Sequence, residues 1–151
     1  MASWHASRLV APLSVPLRVF LIRHGQSEAN LRHDLISGRQ AEVPLTPLGI
    51  EQAKALGEYF LEKSITMDLV YASTAIRARQ TAQYALERAS WYQEEQLRAS
   101  DELLEIEMGD WVGRVASEVY TKEMKAHIES MAWEFKPPNG ESQRELEGKY
   151  S

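Results

Sequence analysis

The residues best suited to chemistry in this 151-residue chain surround His24. Arg23 precedes the histidine and Gly25 follows it, and all three come directly after the apolar residues 19–22. A glycine lets a ligand approach the backbone closely, and a neighbouring cation favours the neutral imidazole that can act as a nucleophile. Since a lone histidine at a strand end is usually structural, both a catalytic and a structural His24 stay open at this point.

Two further charged residues are candidates for the same chemistry. Arg77 lies in the first turn of a predicted helix, where a side chain leans toward the helix N-terminus. A guanidinium beside the free N–H groups of that terminus is suited to binding phosphate. Glu105 is flanked by apolar residues and can serve as a general acid. The alternatives are a solvated helix charge for Arg77 and a solvated loop carboxylate for Glu105.

Two short apolar runs are typical of β-strands. They cover residues 19–22 and 69–71, and each is followed by polar residues. A third strand is predicted over residues 97–103, where the pattern is mixed. The first two are apolar throughout, which is the pattern of strands buried on both faces of a parallel sheet.

Helical patterns follow these runs along the chain. Apolar residues recur at three- and four-residue spacing over residues 47–63, 74–89 and 116–131. Because strands and helices alternate, we expect a three-layer α/β fold in which helices cover both faces of a mostly parallel central sheet. Ligands of such folds bind beyond the carboxyl ends of the strands, which is where His24 and Arg77 lie.

These residues fall within a series of motifs that resembles the histidine phosphatase superfamily, also called phosphoglycerate mutase-like. Five motifs occur in order, namely residues 21–30 (LIRHGQSEAN), Gly38-Arg39 with residues 44–53, residues 73–82 (STAIRARQTA), Glu105 with Gly109, Trp111 and Gly113, and residues 140–142 (GES). A single Arg-His-Gly is weak evidence, whereas five ordered motifs are not a chance match. The resemblance predicts one domain over residues 18–151, preceded by a flexible tail of residues 1–17.

The resemblance implies a phosphomonoester hydrolase that works through a phosphohistidine. His24 would attack phosphorus, and Glu105 would protonate the leaving oxygen and later activate water. Arg23 and Arg77 would bind the phosphoryl oxygens, in keeping with the cationic stabilisation that phosphoryl transfer needs. The remaining substrate-binding residues would be Asn30, Ser37 and Gly38. The resemblance implies no metal and no cofactor, and the partner would be a small phosphorylated substrate.

One element of the family is missing from the sequence. The resemblance implies a second phosphate-binding histidine, in a His-Gly pair after a late strand, and His5, His33 and His127 do not fit that place. Ser142 and Glu145 form a capping box that predicts a helix, yet few residues follow them. We therefore expect a domain that is incomplete at its C-terminus and lacks its late strands. Losing such a ligand costs ~10²–10³ in rate, so we expect weak activity or none.

Two other functions stay open. By the resemblance, mutases of the family carry an arginine after the general acid and an arginine pair further on. Here Ile106 follows Glu105, and residues 115–136 contain no arginine. This difference favours a phosphatase over phosphoglycerate mutase-type transfer. The other alternative is a catalytically inactive module that binds phosphate or a partner.

The composition excludes several classes of protein. The chain has no cysteine, which excludes a disulfide scaffold, a thiol nucleophile and a cysteine-bound metal. Its formal net charge of -5 argues against nucleic-acid binding, and no apolar run approaches the ~20 residues that cross a bilayer. We expect a cytoplasmic protein, with organellar targeting by residues 1–17 as the alternative. The sequence indicates neither the substrate nor the oligomeric state.

Overall fold

The computed structural model describes residues 16–90 and 97–148, and its sheet is parallel. Strand β1 (Val70–Ser73) pairs with strand β2 (Leu97–Ser100), with Val70 opposite Leu97 and Ser73 opposite Ser100. The helix between them is α2 (Ile76–Arg88), so strand, helix and strand form a parallel β-α-β unit. This arrangement confirms the α/β class.

Helix α1 (Pro47–Glu62) precedes this unit and packs along α2. Thr46 caps the N-terminus of this helix, since its hydroxyl accepts a hydrogen bond from the Gly49 N–H at 3.1 Å. The two helices approach closely at Gly57, where a Cβ would lie only 2.3 Å from the Ala85 carbonyl oxygen. A glycine is therefore needed at this point of contact.

The second half of the described chain is mostly helical. Helix α3 (Ala116–Val119) and helix α4 (Lys122–Met131) surround a small core of Ile36, Trp111 and Val119. Partly buried apolar residues extend this core, among them Met108, Tyr120, Met124, Ile128 and Phe135. None of the described helices is long and apolar enough to cross a bilayer.

The prediction of one helix over residues 116–131 is wrong in one respect. The helix breaks after Val119, and a new helix begins because the Thr121 hydroxyl accepts a hydrogen bond from the Met124 N–H at 3.1 Å. A threonine at that position competes with the continuing helix for backbone partners. The break turns Tyr120 toward Trp111, and their ring centroids lie 5.6 Å apart.

The prediction of a buried strand over residues 19–22 is also wrong for the described chain. These residues belong to no sheet there, and Leu21 is 94% exposed. A strand needs a hydrogen-bonded neighbour, and no described segment pairs with this run. Phe20 packs edge-on against Phe60 of α1, at 6.1 Å between ring centroids.

The last described element confirms a prediction from the sequence. Helix α5 (Gln143–Gly148) begins with the capping box of Ser142 and Glu145. The Ser142 N–H donates to Glu145 Oε2 at 2.9 Å, and the Glu145 N–H donates to the Ser142 hydroxyl at 3.1 Å. Most of the predicted tail, residues 1–15, lies outside the described residues.

Candidate active site

A cavity of about 300 Å³ lies where the loop after residue 23 meets the N-terminus of α2. All seven residues proposed from the sequence line it, together with two others that were not proposed, Ser27 and Ala29. The seven are Arg23, His24, Asn30, Ser37, Gly38, Arg77 and Glu105. Residues as distant in sequence as His24 and Glu105 therefore share one cavity, and their roles stay predictions.

The imidazole of His24 is held in a single tautomer. Its Nδ1 lies 2.7 Å from the Gly25 carbonyl oxygen, which can only accept, so Nδ1 carries the proton. Its Nε2 accepts a hydrogen bond from Nε of Arg77 at 3.3 Å, so Nε2 presents a lone pair. These two contacts leave the lone pair of Nε2 facing the Arg77 guanidinium.

The backbone around His24 is anchored to both helices. The Gly25 N–H donates to the Thr81 hydroxyl of α2 at 3.1 Å, and the Gln26 N–H donates to the Gln52 side chain of α1 at 2.8 Å. A Cβ on Gly25 would lie 2.5 Å from the Gly49 carbonyl oxygen. The glycine after the histidine thus lets the loop lie against the start of α1.

Arg77 is the most buried charged residue of the cavity, with 5% of its surface exposed. Besides His24, its guanidinium donates to the carbonyl oxygens of Gln40 at 2.8 Å and Arg39 at 3.1 Å. It also forms an ion pair with Oε2 of Glu105 at 3.1 Å. These partners compensate the burial of the charge and orient the guanidinium toward His24 and Glu105 together.

Arg23 is the second cation of the cavity and differs from Arg77 in its surroundings. It is exposed, and within the described ranges no hydrogen bond or ion pair engages its side chain. A guanidinium in that situation is available to an anionic ligand.

Asn30 and Ser27 form one unit at the wall of the cavity. The Asn30 side-chain oxygen accepts from the Ser27 N–H at 2.9 Å and from the Ser27 hydroxyl at 3.0 Å. Its amide nitrogen is therefore the group that can donate to a ligand. Ser27 is almost fully buried and was missed from the sequence, although Ser27 and Asn30 have the spacing of a capping box.

Ser37 and Gly38 also line the cavity. Ser37 is exposed, whereas Gly38 is buried against Met108, whose Cγ would lie 2.9 Å from a Cβ at that position. The close contact places the backbone of residues 37–40 next to the loop that carries Glu105.

Glu105 is half exposed, since 51% of its side chain is accessible. Its carboxylate contacts Arg77, and its backbone carbonyl accepts from Nε of Arg39 at 3.1 Å. The carboxylate thus has access to solvent and lies beside the cation that also contacts His24. In the described part of the chain, no three His, Asp or Glu side chains are placed to hold a metal ion.

The sequence and the fold match known proteins. Residues 19–151 match the profile of the histidine phosphatase superfamily (branch 1). Over 127 residues the chain is 35% identical to a 2,3-bisphosphoglycerate-dependent phosphoglycerate mutase of Rhizobium meliloti, covering 83% of this chain and 59% of that protein. A mutase of the same name from Bartonella henselae is 37% identical over 127 residues, covering 83% and 60%. The chain therefore spans about 60% of the length of these relatives.

Solved structures with a similar fold include two phosphatases. The alpha-ribazole phosphatase of Shigella flexneri superposes with a TM-score of 0.65 and 32% identity, covering 85% of this chain and 60% of that one. A mycobacterial glucosyl-3-phosphoglycerate phosphatase superposes with a TM-score of 0.63 and 27% identity, covering 83% and 56%.

Proposed function

Since this chain belongs to the histidine phosphatase superfamily, we propose that it hydrolyses phosphomonoesters through a phosphohistidine on His24. The observation that carries the proposal is the pair of contacts on the imidazole. Nδ1 donates to the Gly25 carbonyl, and Nε2 faces Arg77 with its lone pair. A nucleophile that is fixed next to a cation is what transfer of an anionic phosphoryl group requires.

In the first step, Nε2 of His24 attacks phosphorus and the bond to the ester oxygen breaks. Glu105, which takes up a proton from solvent once Arg77 has moved to the phosphoryl group, donates that proton to the departing oxygen, which leaves as an alcohol. Before the attack, Arg77 transfers its N–H donors from Nε2 and the carboxylate to the phosphoryl oxygens. Arg23 and the amide of Asn30, which also line the cavity, bind the same group.

In the second step, water attacks phosphorus and the N–P bond breaks. The Glu105 carboxylate accepts a proton from the water, and the imidazole returns to its neutral form as inorganic phosphate leaves. The half-exposed position of Glu105 supports this role, because the same carboxyl must reach both the leaving oxygen and solvent water.

The substrate is a small phosphorylated molecule, and a phosphatase is favoured over a mutase. Arg23 and Arg77 are the cations among the residues that line the cavity, and both are assigned to the phosphoryl group. Phosphoglycerate also carries a carboxylate, which needs a cation of its own. Residues 115–136 follow the loop that carries Glu105, here called the acid loop. They contain no arginine that could supply this cation. We place this reaction in the cytoplasm.

The proposal is tested by labelling the chain with p-nitrophenyl phosphate and locating the phosphate by mass spectrometry. We expect an acid-labile phosphate on the peptide that contains His24, and none in the His24→Ala variant. His33→Ala is the matched control, because His33 is exposed and does not line the cavity. The thermal unfolding of the chain is also measured with and without inorganic phosphate. If no label forms on His24 but phosphate raises the unfolding temperature, the result would contradict hydrolysis and support a binding module.

A further inference from the structure

A second ion pair, formed by residues that do not line the cavity, contacts two of the residues that do. Arg39 and Glu141 form an ion pair at 2.7 Å, and only 24% and 12% of their side chains are exposed. We propose that these two are positioning residues that hold the backbone of Glu105 and thereby place the general acid. The inference rests on the proposed function.

Arg39 contacts both partners of the Arg77–Glu105 ion pair. Its Nε donates to the Glu105 carbonyl at 3.1 Å, and its own carbonyl accepts from the Arg77 guanidinium at 3.1 Å. One residue therefore fixes the acid through its side chain and the phosphate-binding cation through its backbone. A displacement of Arg39 would change the distance between the two groups that must act on one substrate.

Glu141 holds the acid loop at a second point, the backbone of Glu107. The same oxygen that contacts Arg39 accepts from the Glu107 N–H at 3.3 Å, and the Glu141 N–H donates to the Glu107 carbonyl at 2.8 Å. The loop is thus held at Glu105 by Arg39 and at Glu107 by Glu141.

The turn that carries Glu141 is packed tightly against this loop. The Asp110 N–H donates to the Pro138 carbonyl at 2.9 Å, and a Cβ on Gly140 would lie 2.7 Å from the Glu107 carbonyl oxygen. The loop therefore has little freedom to adjust its position independently of Glu141.

Glu141 also compensates the charge of Arg39. Without it, a largely buried guanidinium would lie beside the Glu105 backbone and lose its ion pair with Glu141. The ion pair thus stabilises Arg39 in the position from which it contacts the Glu105 carbonyl.

The test compares two phosphate esters that differ only in how much their leaving group needs a proton. Nitrophenolate leaves without protonation, whereas an alkoxide requires the general acid. The rate of His24 phosphorylation is measured in single turnovers with p-nitrophenyl phosphate and with an alkyl phosphate. The ratio of the two rates does not depend on how much of a preparation is folded.

We expect Glu141→Gln and Arg39→Lys to slow phosphorylation by the alkyl ester about 10²-fold, as for a misplaced catalytic group. Phosphorylation by the nitrophenyl ester should change several-fold less. The double variant Glu105→Gln/Glu141→Gln should be no slower than Glu105→Gln alone. Glu58→Gln, which removes an exposed ion pair with Arg88, is the control and should leave the ratio unchanged.

Equal slowing of both esters would overturn the positioning role, because it would mean a general loss of structure. Additive losses in the double variant would overturn it as well. If the unmodified chain is phosphorylated by neither ester, the proposed function itself fails, and this inference with it.

Discussion

Nε of Arg77 lies 3.3 Å from Nε2 of His24, and the same guanidinium holds Glu105 through a different nitrogen. The residues proposed as nucleophile and general acid are thus bridged by one cation that is itself buried. Under the proposed function, a phosphoryl group that enters the cavity replaces both partners of the Arg77 guanidinium at once.

This bridge predicts the effect of changing Arg77. We expect Arg77→Lys to slow His24 phosphorylation by ~10²–10³, because lysine lacks the planar fork that contacts both groups. Single-turnover labelling measures the change. Arg79→Lys is the control, since Arg79 is exposed on the same helix. Comparable loss in the two variants would contradict the assignment.

Glu105→Gln should separate the two halves of the reaction. Glutamine cannot protonate the leaving oxygen, so we expect phosphorylation by an alkyl phosphate to fall ~10²–10⁴-fold. Hydrolysis of a phosphohistidine already formed should also slow, because no carboxylate activates water. Both rates are followed by quenched-flow labelling. Glu102→Gln, an exposed neighbour, should leave both rates unchanged, and an unaffected Glu105→Gln would exclude it as the acid.

The contact between α1 and α2 gives a prediction about stability. A Cβ on Gly57 would meet the Ala85 carbonyl oxygen at 2.3 Å and the Arg88 Cβ at 2.8 Å. Gly57→Ala should therefore lower the free energy of unfolding by about 1–3 kcal/mol, as overpacking does. Urea unfolding checks this value. Gly148→Ala is the matched control, because nothing lies within 4 Å of its Cβ position, and it should cost nothing.

The capping box of α5 should contribute to stability in a pH-dependent way. The hydrogen bond from Lys136 lowers the pKa of Glu145 below its usual value, and the bond from the Ser142 N–H adds to this. A carboxyl with a lowered pKa stabilises the fold at neutral pH, and this contribution is lost as pH falls through its folded pKa.

Urea unfolding at neutral pH and near pH 3 tests this contribution. We expect Glu145→Gln to be less stable than the unmodified chain at neutral pH and equally stable in acid. Glu129→Gln, an exposed control on α4, should show no such convergence. A stability gap of Glu145→Gln that persists in acid would contradict the role of the charge.

The cap hydroxyl gives a separate prediction that does not depend on pH. Ser142→Ala should cost about 1 kcal/mol, because it removes the acceptor for the Glu145 N–H. Urea unfolding at neutral pH measures the loss, and unchanged stability would mean that the hydroxyl does not cap α5.

The site was more predictable from the sequence than the elements around it. Chemistry restricts residue types, so His24, Arg77 and Glu105 stood out by type and context, and the structure brings them together. Arg39 and Glu141 lie within two of the motifs, but nothing in their type or spacing indicates a role. The role proposed for them depends on contacts with backbone groups of other residues, which no local pattern reveals.

Secondary structure was less predictable where it depends on partners. Residues 19–22 have the composition of a buried strand, but pairing is a property of two segments, and no described segment supplies the second. The prediction of one helix over residues 116–131 was wrong for a local reason. Thr121 can either continue a helix or cap a new one, and here it caps α4. In contrast, Ser142 and Glu145 predicted the start of α5 correctly, since capping is decided within four residues.

The identity of the phosphorylated nitrogen tests the central claim most directly. The chain is labelled uniformly with ¹⁵N, phosphorylated by p-nitrophenyl phosphate and denatured in alkali, and ³¹P–¹⁵N coupling then identifies the bonded nitrogen. The structure predicts coupling to Nε2 of His24, because Nδ1 is occupied by the Gly25 carbonyl. A phosphoryl group on Nδ1, or on any other residue, would contradict the account.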